Sequence, residues 1–448
     1  MNLAKGNLLI RNAMESDAKQ LCEWWNDGKI MAHAGFYDGV NDTVENIVNS
    51  LKKDTDEIYR RHIIEFNQKP IGEMNYRKIN EGVVIIGIKI CDFSCQEKGL
   101  GTTLLEMFID SLFMYYEFEK VTLDTNLTNT RAQHVYENKL GFTKVRVNEN
   151  VFKDSRGELQ SSVDFEITKN EWLEKGKTID YLHIRNERPE DEYEVENLTR
   201  ETFWSESWTT EPKIIDEHFL VSKIRKCKAY VPELNFIAEY NGELVGHIIY
   251  SKSKVVDEDE NEFETLTFGP LSVLPKFQNT GFGKSILYFS LGVAKRLLYR
   301  GVIIFGHPDY YPRVGFKRAG DFGITAYDGS VFDPFMAYPL YEGAFEGVKG
   351  KYFTDPVYDN LPQEECIEFD KKFPPKELPI ATPISVLIDE LTHEEQNALN
   401  LPEDASLAII HTKSVNSLLK LHGITDETVK KIHKVMKENG REWGRFID

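Results

Sequence analysis

An internal repeat is the feature of this 448-residue chain that most restricts its fold. The two copies have diverged, yet their landmarks recur in the same order. Three landmarks each recur after 174 positions. The tripeptide Ile-Arg-Asn occurs at residues 10–12 and 184–186, a glycine within a strand-like segment at residues 72 and 246, and a Gly-Phe pair at residues 141–142 and 315–316. The sequence therefore predicts two copies of one domain.

A glycine-punctuated stretch also occurs twice, as QEKGLGTTLL at residues 96–105 and as QNTGFGKSIL at residues 278–287. These stretches are 182 positions apart, and the larger separation has a local cause. The second copy carries SKSKVVDEDENEFE at residues 251–264, a polar and acidic segment that predicts a longer hairpin. Insertions are tolerated in such surface segments, so the change in separation from 174 to 182 positions is compatible with duplication.

The repeat and the composition predict three domains. We expect copies at residues 1–177 and 178–360, joined by a linker near residues 168–181. Residues 361–448 include the Pro-rich DKKFPPKELPI at residues 370–380, which is followed by two amphipathic helical patterns. Thr392 and Asp426 are candidate caps for these helices. This last part is predicted to be a connector and a small helical tail domain.

Each copy alternates strand-like and helix-like segments, with Asn129 suited to cap one of the helices. The residues after the first glycine stretch show the helical period of 3.6, at Leu104, Leu105, Phe108, Ile109 and Leu112. Alternating apolar residues predict strands before and after that helix. The pattern predicts a mixed α/β fold in which a mostly antiparallel sheet is flanked by helices.

Composition excludes several classes of protein. A formal charge of −19 argues against nucleic acid as a partner and is compatible with a cationic substrate or simply with solubility. The apolar runs are too short to predict a membrane span or a signal peptide. Five scattered cysteines favour reduced thiols in the cytoplasm, and Cys91 with Cys95 offers too few ligands for a zinc site.

The glycine stretches predict anion sites. Gly99 and Gly101 permit backbone conformations in which successive N–H groups point into one concavity at the start of a helix, where a pyrophosphate can bind. The spacing differs from the dinucleotide-binding G-x-G-x-x-G. It also differs from the P-loop of nucleotide hydrolases, because Asn279 stands where the first glycine would be.

Both stretches share Q-x-x-G-x-G after a strand, with a Gly-Phe pair further on, and this pattern resembles the GNAT superfamily of acyl-CoA-dependent N-acetyltransferases. The first copy also carries NTRAQHVYENKLGF at residues 129–142, which is similar to the second signature of the family. The second copy has GHPDYYPRVGF at residues 306–316, where the asparagine of that signature is missing. The resemblance covers residues 1 to about 350.

The resemblance implies that acetyl-CoA is the acetyl donor and that no metal is required. The pantetheine arm would insert between two splayed strands and bind backbone groups, and the glycine loop would bind the pyrophosphate. The implied donor-binding residues are Lys89, Cys91, Gln96, Glu97, Lys98, Gly99, Leu100, Gly101, Thr102 and Asn129 in the first copy, and Leu271, Val273, Gln278, Asn279, Thr280, Gly281, Phe282, Gly283 and Lys284 in the second.

The implied reaction is direct attack of a neutral amine on the thioester. A backbone N–H would stabilise the oxyanion, and a phenol would protonate the departing thiolate. Tyr136 matches that role in the first copy, and Tyr311, with Tyr310 as the alternative, in the second. Glu73 and His247 each follow a strand glycine and are candidate general bases, although both positions also suit structural roles.

In the family, the segment between the first two helices covers the acceptor groove. In the first copy this segment supplies Trp24, Trp25, His33, Phe36 and Tyr37 as candidate acceptor-binding residues. In the second copy, Trp204 and Trp208 are the candidates. Ordinary packing is the alternative for both sets.

We therefore predict acetyl transfer to a primary amine of a small molecule or polypeptide, with small polycationic amines as plausible acceptors. The alternative is an acyl-CoA sensor or pseudoenzyme in which at least one copy is not catalytic, and the copies could form a pseudo-dimer within the chain. In the tail, LLKLHGITDETVKKI at residues 418–432 resembles a helix-hairpin-helix element. It lacks the second glycine of that element, so a packing role is favoured over DNA binding.

Overall fold

The computed structural model describes residues 1–176, 179–204, 215–308, 310–359, 361–377, 381–413 and 415–440. The chain divides into two compact units, Met1–Arg185 and Asn186–Asp448. The predicted boundary at residues 177 and 178 lies outside the described residues, so the three-domain division stays a prediction. Among the described residues, no helix has the length and apolarity needed to cross a membrane.

A mostly antiparallel sheet forms the centre of the first unit. Its strands are β1 (Asn2–Lys5), β2 (Leu8–Asn12), β3 (Tyr59–Phe66), β4 (Lys69–Asn80), β5 (Val83–Ile90), β6 (Lys120–Asn126), β7 (Thr143–Lys153), β8 (Leu159–Thr168) and β9 (Leu182–Asn186). Pairing gives the order β9-β1-β2-β3-β4-β5-β6-β8-β7. The β5–β6 pair is parallel and its neighbours are antiparallel. The predicted mixed α/β class is confirmed.

Helices cover both faces of this sheet. They are α1 (Ala18–Trp25), α2 (Gly28–Met31), α3 (Val44–Leu51), α4 (Leu100–Met114), α5 (Thr130–His134) and α6 (Lys169–Glu174). The predicted periodic residues of α4 are buried in the main core on one face. A smaller core on the other face joins α1 and α3 to Ile63 and Cys91 of the sheet.

The segment predicted as a linker is partly helical, because α6 lies within it. Thr168 caps this helix by accepting a hydrogen bond from the N–H of Glu171 at 3.3 Å. The buried Trp172 then donates its indole N–H to Asp110 of α4 at 3.0 Å. A capped helix anchored by a tryptophan is part of the packed unit rather than a connector.

The second unit repeats this architecture. Its strands are β10 (Phe236–Tyr240), β11 (Glu243–Val256), β12 (Glu262–Val273), β13 (Gly301–Phe305), β14 (Lys317–Arg318), β15 (Ile324–Thr325), β16 (Phe335–Pro339) and β17 (Gly350–Phe353). The β10, β11 and β12 strands pair antiparallel, β12 pairs parallel with β13, and β13 pairs antiparallel with β16. Residues 257–261 form the tip of the long β11–β12 hairpin that the acidic segment predicts.

The helices of the second unit are α7 (Glu192–Phe203), α8 (Glu217–Ile224), α9 (Phe282–Arg296), α10 (Gln363–Asp370), α11 (Ser385–Ile388), α12 (His393–Leu399), α13 (Val415–Leu418) and α14 (Asp426–Glu438). Helices α11 to α14 belong to a tail with its own apolar core. Thr392 caps α12 as predicted. For α14 the cap is Thr425 instead of Asp426, because Thr425 keeps an extended backbone while Asp426 is already helical.

Candidate active sites

In the first unit, β5 and β6 are paired along only part of their length. The parallel ladder joins residues 83–85 to residues 120–122. Beyond it, β5 continues to Ile90 and β6 to Asn126, and the gap between these strand ends is named the first opening. Strand edges that have left their ladder present N–H and C=O groups that an extended ligand can pair with.

The second unit has an equivalent gap. A single bridge between Leu266 and Val302 joins β12 to β13. The strands then continue to Val273 and Phe305, and the gap between them is named the second opening. In both units the opening lies at the strand end that leads into the glycine stretch.

Backbone alternation along β5 determines which residues face the first opening. The N–H of Cys91 donates to the carbonyl oxygen of Ile71 on β4 at 2.8 Å. Cys91 and, two residues earlier, Lys89 therefore direct their backbone groups toward β4. This corrects the predicted donor contacts of those two residues, because a strand pattern in sequence does not show which edge each backbone group faces.

The residues between them face the opening. The carbonyl oxygen of Gly82 accepts a hydrogen bond from the N–H of Lys120 on β6 at 3.0 Å. By alternation from Gly82, the backbone groups of Ile88 and Ile90 point into the first opening.

Val273 and Leu271 hold the matching positions at the second opening. The N–H of Leu274 donates to Val245 on β11 at 2.9 Å, which turns Leu274 away from the opening and leaves Val273 facing it. Val273 is paired with Gly246 as Ile90 is paired with Gly72, so the two openings correspond residue by residue.

The glycine loops form open cradles before their helices. Gly99 and Gly281 have left-handed backbones, with φ of 76° and 89°, directly before α4 and α9. A Cβ atom at Gly99, Gly101 or Gly281 would meet no atom within 4 Å. Glu97 and Asn279 are also left-handed, a backbone conformation that recurs in loops whose N–H groups bind an anion beside a helix N-terminus.

The glutamine of each loop fastens the loop to the strand. Gln96 donates its side-chain amide to the carbonyl oxygen of Ile90 at 2.9 Å, and Gln278 donates to Val273 at 3.1 Å. Thr202 of α7 donates to the same Val273 oxygen at 3.1 Å. These side chains hold the cradle beside the opening.

The other predicted loop residues have mixed surroundings. The Thr280 hydroxyl donates to the Phe277 carbonyl at 2.6 Å, and the Lys284 ammonium lies 5.4 Å from the centre of the Tyr288 ring. Five of them lie in the loop or in the first helical turn: Lys98, Leu100, Thr102, Phe282 and Gly283. The backbone N–H groups of Leu100, Phe282 and Gly283 belong to the set that a helix start leaves for an anion, whereas the N–H of Thr102 donates to the carbonyl oxygen of Gly99 at 3.1 Å.

Tyr136 lies in a π-helical turn, Val135–Lys139, that continues α5. Its buried ring packs against Phe165 at 5.7 Å. Burial and the nearby Asp124 raise the pKa of Tyr136 to about 12. Asn129 caps the preceding helix by accepting from the N–H of Ala132 at 3.2 Å, so its side chain is engaged in capping.

The two candidate tyrosines of the second unit have different environments. Tyr311 packs between Phe268 and Phe316, and its ring fills the space that a side chain at Gly306 would need. Tyr310 extends its hydroxyl toward the glycine loop, where it would lie 3.1 Å from a Cβ built on Gly283.

Burial raises the pKa of both phenols, that of Tyr310 to about 12. Both therefore stay protonated near neutral pH and can donate a hydrogen bond. Geometry separates them, since only Tyr310 has its hydroxyl at the loop.

Glu73 is held by neighbouring donors. The indole N–H of Trp25 donates to its two oxygens at 2.9 and 3.1 Å, and the Lys89 ammonium donates at 3.0 Å. Lys89 also contacts the sulfur of Met31 at 3.0 Å. This cluster connects α1 and α2 to β4 and β5 beneath the predicted acceptor cover.

His247 is fully buried in a polar network, which suits the structural alternative for this residue. Its ring nitrogen lies 2.8 Å from the Asn235 oxygen and 3.5 Å from Glu187. Arg225 pairs with Glu187 and, at 2.6 Å, with Glu196. Burial lowers the pKa of His247, so the ring is neutral but has no path to an amine in solution.

The predicted acceptor cover of the first unit is a closed loop over residues 26–42. The side chain of Asn26 exchanges two hydrogen bonds with the backbone of Asp42, at 2.8 and 2.9 Å. Trp24, which precedes the loop, is buried in the core, whereas His33 and Phe36 within the loop are exposed. Tyr37 is half-buried and lies 3.9 Å from the Arg156 guanidinium on the β7–β8 hairpin.

Of the acceptor residues predicted in the second unit, Trp208 lies outside the described residues. Trp204 donates its indole N–H to the carbonyl oxygen of Glu377 at 3.1 Å. The Arg200 guanidinium lies 4.4 Å from its ring. Trp204 is thus engaged by the segment that follows α10.

Two residues bordering the openings were not predicted from sequence. Val121 and Leu123 of β6 are buried on the α4 side, so Asp124 points to the face covered by α1 and α3. Asp124 is exposed at its tip, and partial desolvation together with Asp164, which lies opposite on β8, raises its pKa above the usual value. In the second unit, Phe305 is the matching residue, three positions after the bridged Val302 as Asp124 is after Val121.

Both units match acetyltransferase families. Residues 7–143 match the family profile "Acetyltransferase (GNAT) domain", and residues 193–316 match "Acetyltransferase (GNAT) family". The chain therefore belongs to the GNAT acetyltransferases and carries two GNAT domains, as the repeat predicts.

Relatives of known sequence point the same way. The chain is 31% identical over 108 residues to the uncharacterized N-acetyltransferase YjhQ of Escherichia coli K12, covering 24% of this chain and 59% of the relative. It is 26% identical over 109 residues to the uncharacterized N-acetyltransferase YhbS of the same strain, covering 24% of this chain and 64% of the relative. The chain thus spans less than two thirds of the length of these relatives.

Solved structures with partial similarity include the GNAT family N-acetyltransferase YhbS of Escherichia coli in complex with CoA. That match has 22% identity, a TM-score of 0.35 and coverage of 41% of this chain and 94% of the other. Spermidine N-acetyltransferase of Vibrio cholerae, in complex with CoA and spermine, matches with 23% identity, a TM-score of 0.34 and coverage of 38% and 99%.

Proposed function

We propose that the protein transfers an acetyl group from acetyl-CoA to a primary amine. The observation that carries this proposal is the same in both GNAT domains. A parallel strand pair opens at the end that leads into a cradle of left-handed residues and a helix N-terminus. This arrangement suits a donor that has an extended amide-containing arm and a pyrophosphate.

The residues present fit such a donor. The unobstructed space at Gly99, Gly101 and Gly281 leaves the loop N–H groups accessible to phosphate oxygens. Ile88 and Ile90 would pair with the arm in the first domain. In the second domain Leu271 and the N–H of Val273 would do so, because the Val273 carbonyl oxygen already accepts from Gln278 and Thr202. The glutamine braces keep each loop in register with its opening.

The proposed reaction is a direct acyl transfer. A neutral amine attacks the thioester carbon, the carbon–sulfur bond breaks, and an N–H at the opening stabilises the intermediate oxyanion. Tyr136 and Tyr310, both protonated at neutral pH, would donate a proton to the departing thiolate. Tyr310 is proposed in place of Tyr311 because of its position beside Gly283.

Asp124 is proposed to receive the amine proton in the first domain. Its raised pKa makes it a better proton acceptor than an ordinary carboxylate, and it lies close enough to Tyr136 to raise that pKa as well. Glu73 is proposed as a positioning residue, because Trp25 and Lys89 already occupy its oxygens. His247 is left out of the mechanism because it is sealed inside the domain, so in the second domain the amine proton would pass to water.

The first test counts donor sites. Titration calorimetry with acetyl-CoA should give two binding equivalents per chain. Gly99→Asp and Gly281→Asp should each remove one, because a carboxylate in the cradle repels the pyrophosphate and should weaken binding by at least about tenfold. Gly6→Asp and Gly242→Asp are matched controls, since these glycines also have positive φ and open surroundings.

Thiol release across a panel of amines then separates an enzyme from a sensor. Release of CoA that depends on the amine supports acetyl transfer. Two binding equivalents without release would support the acyl-CoA sensor instead, and an absence of binding would contradict both. In the Gly281→Asp chain, Tyr136→Phe and Asp124→Asn should lower kcat without weakening acetyl-CoA binding, and Tyr115→Phe is the phenol control.

A further inference from the structure

Exposed aromatic rings border the second opening. Phe305, the last residue of β13, is 55% exposed, and Phe332 is 39% exposed. Their rings stack at 5.8 Å with an angle of 11° between the planes, and we name this pair the aromatic ledge. The buried Phe335 stacks beneath Phe305 at 5.0 Å, and Tyr352 meets it edge-on at 6.0 Å, so the ledge is held in place.

The ledge lies on the acceptor face of the second domain. On β11, the Tyr250 hydroxyl contacts Ser290 of α9, whereas Ile249 packs with α7 and α8. Counting along β11 by alternation puts Val255 on the α7–α8 face. Ile303 of β13 shares an apolar cluster with Val255, and Phe305, two residues further on, points to that same face.

A stacked pair of exposed rings at the edge of a site suggests that a ligand covers them when it binds. Two half-exposed aromatic side chains would each gain from burial, and ring faces accept both apolar groups and cations. The first domain has the charged Asp124 at the position of Phe305. The two domains therefore present different chemistry at the same place beside the donor opening.

We infer that the two GNAT domains take different acceptors, and that the aromatic ledge of the second domain binds the aromatic or branched apolar body of its acceptor amine. This inference rests on the proposed function, because it assigns the acceptor class of the same site. The first domain, with the carboxylate of Asp124 at the matching position, lacks this apolar surface.

The test uses the full chain with the first domain silenced by Gly99→Asp. The probes are 2-phenylethylamine, butylamine and 1,4-diaminobutane, which differ in body and charge but share a primary amine. Binding of 2-phenylethylamine in the presence of CoA is followed by saturation-transfer NMR on its ring protons. Turnover is followed separately by thiol release with acetyl-CoA.

Phe305→Ala should weaken 2-phenylethylamine binding and lower its kcat/KM by about tenfold, with butylamine changed less than about twofold. Phe305→Leu should restore part of the loss. Phe305→Asp should shift the preference toward 1,4-diaminobutane. Tyr327→Ala, which removes an exposed aromatic ring outside the ledge, is the control and should have no effect.

The outcomes distinguish the two proposals. Ring binding that depends on Phe305, without turnover of any amine, would refute acetyl transfer by the second domain and leave the ledge assignment standing. Turnover that Phe305→Ala changes equally for all three amines would refute the ledge while leaving the transferase function intact. If 2-phenylethylamine neither binds nor is acetylated, the inference is wrong, and the ledge would instead be the contact surface for another partner, such as a protein.

Discussion

Single glycines serve two distinct purposes in this chain. Gly99 and Gly281 have positive φ and open surroundings, as a ligand cradle requires. Gly72 and Gly246, the strand glycines of the repeat, are needed for packing. A Cβ at Gly72 would collide with the carbonyl oxygen of Lys89, and a Cβ at Gly246 would collide with Ile286 of α9.

The tyrosine pair of the second domain gives a matched comparison. In the Gly99→Asp background, Tyr310→Phe should lower kcat by about 100-fold, because the thiolate would lose its proton donor. Tyr311→Phe should change kcat by less than about twofold, since its ring supports the core through aromatic contacts. Steady-state thiol release measures both variants, and the reverse order would show that Tyr311 is the acid.

His62 predicts how acid affects the first unit. It is fully buried between Tyr76 and Phe108, and burial, with the nearby N-terminal amine and Arg60, lowers its pKa well below the usual value. The unfolded chain therefore binds a proton that the folded chain does not. The free energy of unfolding is therefore independent of His62 protonation above about pH 6.5. It decreases as the pH falls below that value, by about 1 kcal/mol at pH 5.5.

His62→Leu should remove this part of the pH dependence. Denaturant unfolding at pH 7.5 and pH 5.5 measures it, as the difference in unfolding free energy between the two conditions. The exposed His33→Leu is the control and should keep the dependence of the unsubstituted protein. An unchanged pH dependence in His62→Leu would mean that another group titrates.

At the scale of elements, the segment over residues 363–377 is packed on the second GNAT domain. Arg200 of α7 is 1% exposed and binds both oxygens of Asp370, at 2.5 and 2.9 Å. His218 of α8 lies 3.0 Å from the same carboxylate. The connector predicted from its prolines therefore begins with a helix that is fastened to α7 and α8 by a buried ion pair.

Removing one partner of this pair should be costly. Asp370→Ala leaves the Arg200 charge buried without its counter-ion and should lower the unfolding free energy by about 3 kcal/mol. Glu368→Ala breaks an exposed pair with Lys371, the residue directly after the same helix, and should have no measurable effect. Urea unfolding compares them, and equal stability of the two variants would contradict a buried ion pair.

At the scale of the whole molecule, the chain contains two units that each carry a glycine loop proposed to bind acetyl-CoA. Calorimetry should resolve two unfolding transitions, and acetyl-CoA should stabilise both, each by about 2.7 kcal/mol at 100 times the dissociation constant. Gly99→Asp should abolish the ligand-induced shift of one transition, and Gly281→Asp that of the other. Simultaneous loss of both shifts in either variant would show that the cradles are not independent.

The sequence by itself determined the duplication, the α/β class, the strands and helices around each glycine stretch, and the family. These follow from local periodicity and from landmarks at a repeated spacing. The landmarks persist in both copies because each one is required by the local backbone conformation or by close packing. Even there, β1, α2 and α6 were not predicted, since they are short and owe their stability to packing.

Only the tertiary structure decided which groups meet. Strand register turned Lys89 and Cys91 toward β4 and set Ile88 and Ile90 at the opening, a one-residue difference that no sequence pattern reveals. Packing placed the Tyr310 hydroxyl at Gly283. The pairing of β6 and β13 with their neighbours brought Asp124 and Phe305 to equivalent places, because contacts across a sheet join residues that are far apart in the chain.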